Sequence, residues 1–333
     1  MRATGCLQSW CWLPVLVALA TTAVAAPYEP PGAVHRVETL LMEWRDTARD
    51  RVVPVKIYLP ADAAGGRPVI LFSHGLGGSR EHYEYLGRHW AAAGMVSVHL
   101  QHAGSDEAIW KGVSLPRRMA VLRQAAADPR NAMERPRDVG FAIDQLGRLN
   151  GAEGRLKGRL DLDRIGVAGH SFGGYTAMAI AGQNYTRGKS GDGRDARVKA
   201  VIQMSAPVPK QRVREYAYDN VVLPVFHMTG TEDESPVNAT TAAERRVPFD
   251  RTRGEACLLI FKGGDHAVFS GRRRLSRTAA RRDEAFHRHI LRSSTAYWDA
   301  HLNGKTAAKE WLLGGGFAGE LGGDGTFEVR RER

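Results

Sequence analysis

Residues 164–178 read RIGVAGHSFGGYTAM: a short apolar strand, then glycine, histidine and serine, then two glycines opening a helix of small residues. At a tight strand-to-helix turn a side chain is pushed out above the carboxyl end of the strand. The flanking glycines are needed because any side chain there would collide with neighbouring backbone. Gly169-His170-Ser171-Phe172-Gly173 has that spacing. Ser171 is therefore a candidate nucleophile. The same turn places the Phe172 amide in the first turn of a helix, where backbone donors and the helix dipole favour a developing negative charge.

Outward from this corner, apolar β-branched runs recur: VVPVKIYL (52–59), PVILFSH (68–74), MVSVHL (95–100), VKAVIQMS (198–205), LPVFHMTG (223–230) and ACLLIFKG (256–263). Several are continuously apolar rather than alternating, the pattern of strands covered on both faces. Helical patterns lie between them. Residues 79–94 start at a serine cap, carry Glu81 in the first turn and stop at Gly94; residues 135–151 place Val139, Ile143 and Leu146 on one face; residues 287–302 form a last long helix. Strands alternating with helices predict an α/β class with a mostly parallel central sheet flanked by helices on both faces. No internal repeat or linker divides residues 27–333, which read as a single domain. The stretch at about 101–134 is too long for a simple connection and reads as an insertion near the site, with a short helix in 116–129. The glycine-rich tail after residue 313 reads as peripheral.

A serine nucleophile needs a second oxyanion donor, a base and an orienting acid. In LFSHGLGGS (71–79) the glycines after a strand let backbone approach a ligand, which assigns the second donor to Leu76, with Gly75 as competitor and His74 as a prop for the loop. The loop after 223–230 holds Glu232, Asp233 and Glu234; the Gly-x-x-Asp spacing selects Asp233, and either neighbour stays open. The base follows the last apolar strand, in LLIFKGGDHAVFSG (258–271), as His266; His287 and His289 fall inside a helical pattern, and Asp265 reads as a loop contact. The order Ser171, Asp233, His266 agrees with the order that the α/β-hydrolase fold requires. Tyr83, Tyr85, His102, Asp106, Trp110 and Phe269 are weaker candidates for walls of a substrate site.

Three further features bound the function. WLPVLVALATTAVA (12–25), followed by small residues and Pro27, reads as a secretory signal over 1–26, because the run is shorter than the about 20 residues a bilayer span needs. Its removal takes Cys6 and Cys11 and leaves Cys257 alone in a strand pattern, a packed thiol without an internal disulfide. The net charge of +11 includes one dense run, Arg272 to Arg282, which reads as a solvated face or as an attraction to anionic surfaces. No nucleic-acid-binding signature accompanies it.

SHGLGGSREHYEYLGRHWAAAG (73–94), LQHAGSD (100–106), RPRDVGFAIDQL (135–146) and LDLDRIGVAGHSFGGYTAM (160–178) resemble the bacterial group of predicted dienelactone hydrolases. That group is related to platelet-activating-factor acetylhydrolases, chlorophyllases and cutinase-like polyester hydrolases. The resemblance implies a serine carboxylic-ester hydrolase with no metal or other cofactor and a small-molecule or lipid-like ester as substrate, and the signal stretch makes it exported, periplasmic or secreted. True dienelactone hydrolases use a cysteine nucleophile, so with Ser171 in place that substrate does not carry over. A peptidase or acyltransferase on the same fold, or a non-catalytic secreted protein binding through its basic face, is the alternative. Acyl length, alcohol and oligomeric state are open at this level.

Overall fold

The apolar runs at 68–74, 95–100, 164–170, 198–205, 223–230 and 256–263 become six adjacent parallel strands. The computed structural model describes residues 28–184, 193–272 and 275–331; the stretch 1–26 read as a signal, and Arg273 and Arg274 of the basic run, lie outside them. The strands are β1 (Val37–Asp46), β2 (Arg51–Pro60), β3 (Arg67–Ser73), β4 (Val96–Leu100), β5 (Leu160–His170), β6 (Val198–Met204), β7 (Val225–Glu232), β8 (Ala256–Asp265) and β9 (Gly325–Arg330). They form one sheet in the order β1-β2-β4-β3-β5-β6-β7-β8-β9. β1, β2 and β9 run antiparallel to their neighbours, and the middle of the sheet is parallel.

The helices are α1 (Glu84–Ala92), α2 (Leu115–Ala127), α3 (Pro129–Gly151), α4 (Phe172–Ala181), α5 (Gln211–Arg214), α6 (Val247–Arg251), α7 (Arg277–His301), α8 (Thr306–Leu313) and α9 (Gly316–Leu321). Alternation along the strands sends neighbours to opposite faces. In β3, Val69 and Leu71 join a core with Val139 and Ile143 of α3 and Met178 of α4. Ile70 and Phe72 join the other core, with Trp90 of α1 and Phe286 and Trp298 of α7. This is the α/β-hydrolase architecture, with the loops after β3, β5, β7 and β8 at the carboxyl edge where such sheets bind ligands.

Four expectations change. β1 is an additional edge strand; its mixed composition, with Leu41 exposed, hides a one-sided strand from an apolar-run reading. The tail is not peripheral, since β9 pairs with β8 from Ala256↔Arg330 to Phe261↔Gly325. α1 starts at Glu84 rather than after Ser79, because Tyr83 takes a left-handed conformation and becomes the cap. α3 begins at Pro129, so the helix at 135–151 gains its first turns from the stretch read as insertion. α2, between them, has no buried residue. Cys257 is buried in β8, and burial pushes its thiol well above the usual range, which leaves it unreactive.

Candidate active site

The corner at Ser171 is as tight as its glycines imply. A Cβ on Gly169 would sit 2.2 Å from the Gly173 carbonyl oxygen, and one on Gly173 would sit 1.8 Å from the Ser73 carbonyl oxygen. Ser171 itself is held at φ 56°, ψ −117°, a strained conformation that the surrounding structure imposes. Its amide donates to the Met204 carbonyl at 2.8 Å, which anchors the turn to β6 and leaves the hydroxyl facing the cleft.

The loops after β7 and β8 bring two other predicted residues to it. Ser171 Oγ lies 3.0 Å from His266 Nε2, and His266 Nδ1 lies 2.7 Å from Asp233 Oδ1. Asp233 is fully buried, and burial by itself would raise its carboxyl. The hydrogen bond to His266 and the charge of Arg245 overcome that and hold it down at about 2. Its other oxygen accepts from the Ser205 hydroxyl and from Thr229 Oγ1 at 2.8 Å. A carboxylate so fixed orients the ring: Nδ1 carries the proton toward Asp233, and Nε2 is free to accept from Ser171. Glu232 is exposed at the end of β7, and Glu234 accepts from the Ala242 amide, so neither takes Asp233's place at the ring. His287 donates to the Val268 carbonyl, His289 pairs with Asp324, and Asp265 accepts from the Ala267 amide.

The loop after β3 completes the site. The Gly75 amide donates to Tyr83 Oη at 3.3 Å, and the Gly77 and Gly78 amides donate to Ser105 and Gly75 carbonyls. Among the described residues the Leu76 and Phe172 amides have no acceptor. Gly75 lines the cleft, but its donor is spent, which favours Leu76 over its competitor.

Ser171 sits where two compartments meet. One, of about 210 Å³, is lined by Tyr83, Met119, His266, Ser270 and Arg272. The other, of about 410 Å³, is lined mainly by apolar groups, among them Phe172, Tyr175, Val208, Pro209 and Val237. Leu76 and Val237 border both.

Three tentative wall residues border neither compartment. His102 is fully buried, donating from Nδ1 to Asp138 Oδ2 at 2.9 Å and accepting on Nε2 from Ser73 Oγ at 2.9 Å. Trp110 donates its indole N–H to the Gly77 carbonyl at 2.8 Å and so braces the loop from outside. Phe269 is buried with its ring against His170 and Phe261. Tyr85 donates to the Phe269 carbonyl, and Asp106 accepts from Gln101 Nε2. These five border neither compartment, whereas Tyr83 lines the smaller one while its hydroxyl binds Gly75 and His170. His74 props its loop: the His102 amide donates to Nε2 at 3.1 Å, so the ring proton is on Nδ1 and reaches the Gly75 carbonyl at 2.6 Å.

Sequence reasoning missed three residues. His170 donates from Nε2 to the His266 carbonyl at 3.0 Å and accepts on Nδ1 from Tyr83 Oη at 2.8 Å, tying the histidine loop to the β3 loop. Arg245, 2% exposed, donates to the Ser205, Ala206 and Asp233 carbonyls and lies 3.2 Å from Asp233 Oδ1. Arg135 is fully buried under the β3 loop, donating to the His74 carbonyl at 2.7 Å. A signal for Arg135 existed: it is in helical phase with Val139, Ile143 and Leu146, on the face that goes inside.

Comparison with known proteins agrees with this fold. The family model of platelet-activating factor acetylhydrolase, isoform II, matches residues 42–114. The chain is 28% identical to a platelet-activating factor acetylhydrolase of Cavia porcellus over 149 residues, 38% of this chain and 34% of that protein. It is 25% identical to one of Bos taurus over 228 residues, 61% of this chain and 48% of that protein. The matches thus span about a third and about half of these relatives' lengths. Among the described residues there is no cluster of three or more His, Cys, Asp or Glu that could hold a metal, and no helix is long and apolar enough to cross a membrane.

Proposed function

We propose that the chain is an exported serine hydrolase that cleaves carboxylic esters through an acyl-enzyme intermediate, with Ser171, His266 and Asp233 as its catalytic residues. The observation that carries this reading is the hydroxyl–imidazole–carboxylate relay opening into a cleft beside two unengaged amides. Ser171 Oγ attacks the ester carbonyl carbon as its proton passes to His266 Nε2, and the carbonyl electron pair becomes an oxyanion facing the Leu76 and Phe172 amides. Collapse breaks the carbon–oxygen bond, and the imidazolium protonates the departing alkoxide. Water then repeats the sequence on the acyl-enzyme and releases the carboxylic acid.

The cleft also suggests which side holds which part of the substrate. The alcohol must leave past His266, which lines the smaller compartment, so the acyl group takes the larger apolar one. A lipid-like ester suits both the apolar lining and the name of the relatives. Export rests on the apolar N-terminal stretch.

The test is turnover of p-nitrophenyl acetate, butyrate and octanoate, a phospholipid and an anilide by the wild type and by Ser171→Ala. The expected result is Ser171-dependent ester cleavage, with kcat/KM rising by about tenfold or more from acetate to octanoate as apolar contacts are added. Anilide cleavage outpacing every ester would favour a peptidase, and undiminished turnover by Ser171→Ala would overturn the proposal.

A further inference from the structure

Arg135 poses a physical question that the relay does not answer. Its guanidinium is completely buried, and among the described residues it makes no ion pair. On the same helix, Glu134 pairs with Arg49 and Arg137, and Asp138 spends its oxygens on Arg49, Arg51 and His102. Burying a charge without a direct counter-ion is strongly unfavourable. The fork is also one prong short, since Nη1 has no hydrogen-bond partner among the described residues. A group retained at that cost is expected to stabilise something else.

Its contacts converge on the two segments that carry the unengaged amides. Nη2 donates to the His74 carbonyl at 2.7 Å, two residues before the Leu76 amide, and Nε donates to Ser105 Oγ at 3.2 Å. Ser105 in turn accepts the Gly77 amide on its carbonyl, so both ends of the β3 loop are tied to the same guanidinium. The guanidinium carbon lies 4.5 Å from the centre of the Phe172 ring, and Phe172 supplies the other amide. One rigid planar cation thereby touches both segments that carry these amides.

We propose that Arg135 is a positioning residue for the oxyanion of the reaction: it fixes the β3 loop and Phe172 relative to each other and adds a buried positive charge beneath the site of negative charge. This rests on the ester-hydrolase reading above. Burial pulls the guanidinium down to about 9, so it carries its charge at neutral pH. In a dry site a fixed charge acts more strongly than in water and needs no reorganisation during reaction. Lysine at this position would keep the charge and lose the fork.

The experiment compares wild type, Ser171→Ala, Arg135→Met and Arg135→Lys, with kcat normalised to active sites titrated by a fluorophosphonate and with thermal midpoints measured in parallel. A trifluoromethyl ketone, whose serine adduct carries an oxyanion, serves as the transition-state probe. Arg135→Met is expected to lower kcat by about 100-fold and weaken the ketone to match, leaving KM for p-nitrophenyl butyrate nearly unchanged; Arg135→Lys is expected to recover about tenfold of the loss. A merely structural role would lower the thermal midpoint with kcat per titrated site unchanged, and that result overturns the inference. Should Arg135→Met fail to fold, Arg135→Lys decides alone: wild-type kcat and ketone affinity in that variant overturn the inference. Wild-type turnover that survives Ser171→Ala would instead overturn the ester-hydrolase reading, and this inference with it.

Discussion

The described residues contain two serine–histidine–aspartate chains built to nearly the same distances. Ser171, His266 and Asp233 are linked at 3.0 and 2.7 Å; Ser73, His102 and Asp138 are linked at 2.9 and 2.9 Å. In both, an acid fixes the proton on Nδ1, and Nε2 accepts from a hydroxyl. Only the first opens into a cleft. Ser73, His102 and Asp138 are sealed, and burial together with the neighbouring Arg135 charge pulls His102 down to about 4, so its imidazole resists the proton a base must accept. Ser73 also ends a regular strand, whereas Ser171 stands on a strained turn beside two unengaged amides. Three residues in line are not enough to mark a candidate site; access from a cleft and unengaged amides set the first chain apart. The sealed chain has a different task. Through the His102 amide and Arg51 it knits β2, α3 and the β3 loop into one hydrogen-bonded block.

Breaking each chain in turn should separate these roles. Ser171→Ala is expected to lower kcat on esters by about 10⁵-fold or more and to abolish fluorophosphonate labelling; labelling at Ser73 instead would erase the distinction. Asp233→Asn should cost about 10⁴-fold in kcat at neutral pH, because the amide favours the wrong tautomer of His266, while denaturant unfolding reports a folded protein. Asp138→Asn should act the other way, leaving kcat per titrated site little changed while costing about 3 kcal/mol of stability, because it strips Arg49, Arg51 and His102 of a buried partner.

Acid sharpens the same contrast. The hydrogen bond from His102 and the charge of Arg51 hold Asp138 at about 2 against the effect of burial, and Asp233 is held at about 2 in its turn. Both folded values lie below the ordinary carboxyl value of about 3.9, so the stability they contribute is complete above about pH 4 and is lost as the pH falls toward 2. Wild type should therefore show a steep loss of unfolding free energy across that window, and Asp138→Asn a shallower one. Ser73→Ala should show the smallest effect, about 1 kcal/mol for one buried hydrogen bond, with unchanged kcat.

The legibility of the sequence followed how each residue is buried. The parallel strands are buried on both faces and announce themselves as apolar runs; β1 and β9 pack at edges, and their mixed composition conceals them. That Ser171, Asp233 and His266 meet was legible because each follows a strand at a spacing that loop geometry demands. His102 and Trp110 misled because a polar or aromatic residue just past a strand end can turn toward the cleft or away from it, and only packing decides. Arg135 and Arg245 carry the opposite lesson. In a chain with 47 Lys and Arg, a buried arginine looks like any surface one unless its helical phase is checked.

α2 has no buried side chain, yet its Met119 and Leu122 border the smaller compartment and its Ala126 the larger. Substitutions at these three positions are therefore expected to reshape the two compartments with little of the usual penalty for altering a core. The serine–histidine–aspartate relay stands on loops at the end of the sheet, whereas part of the compartment wall stands on a helix that the core does not hold.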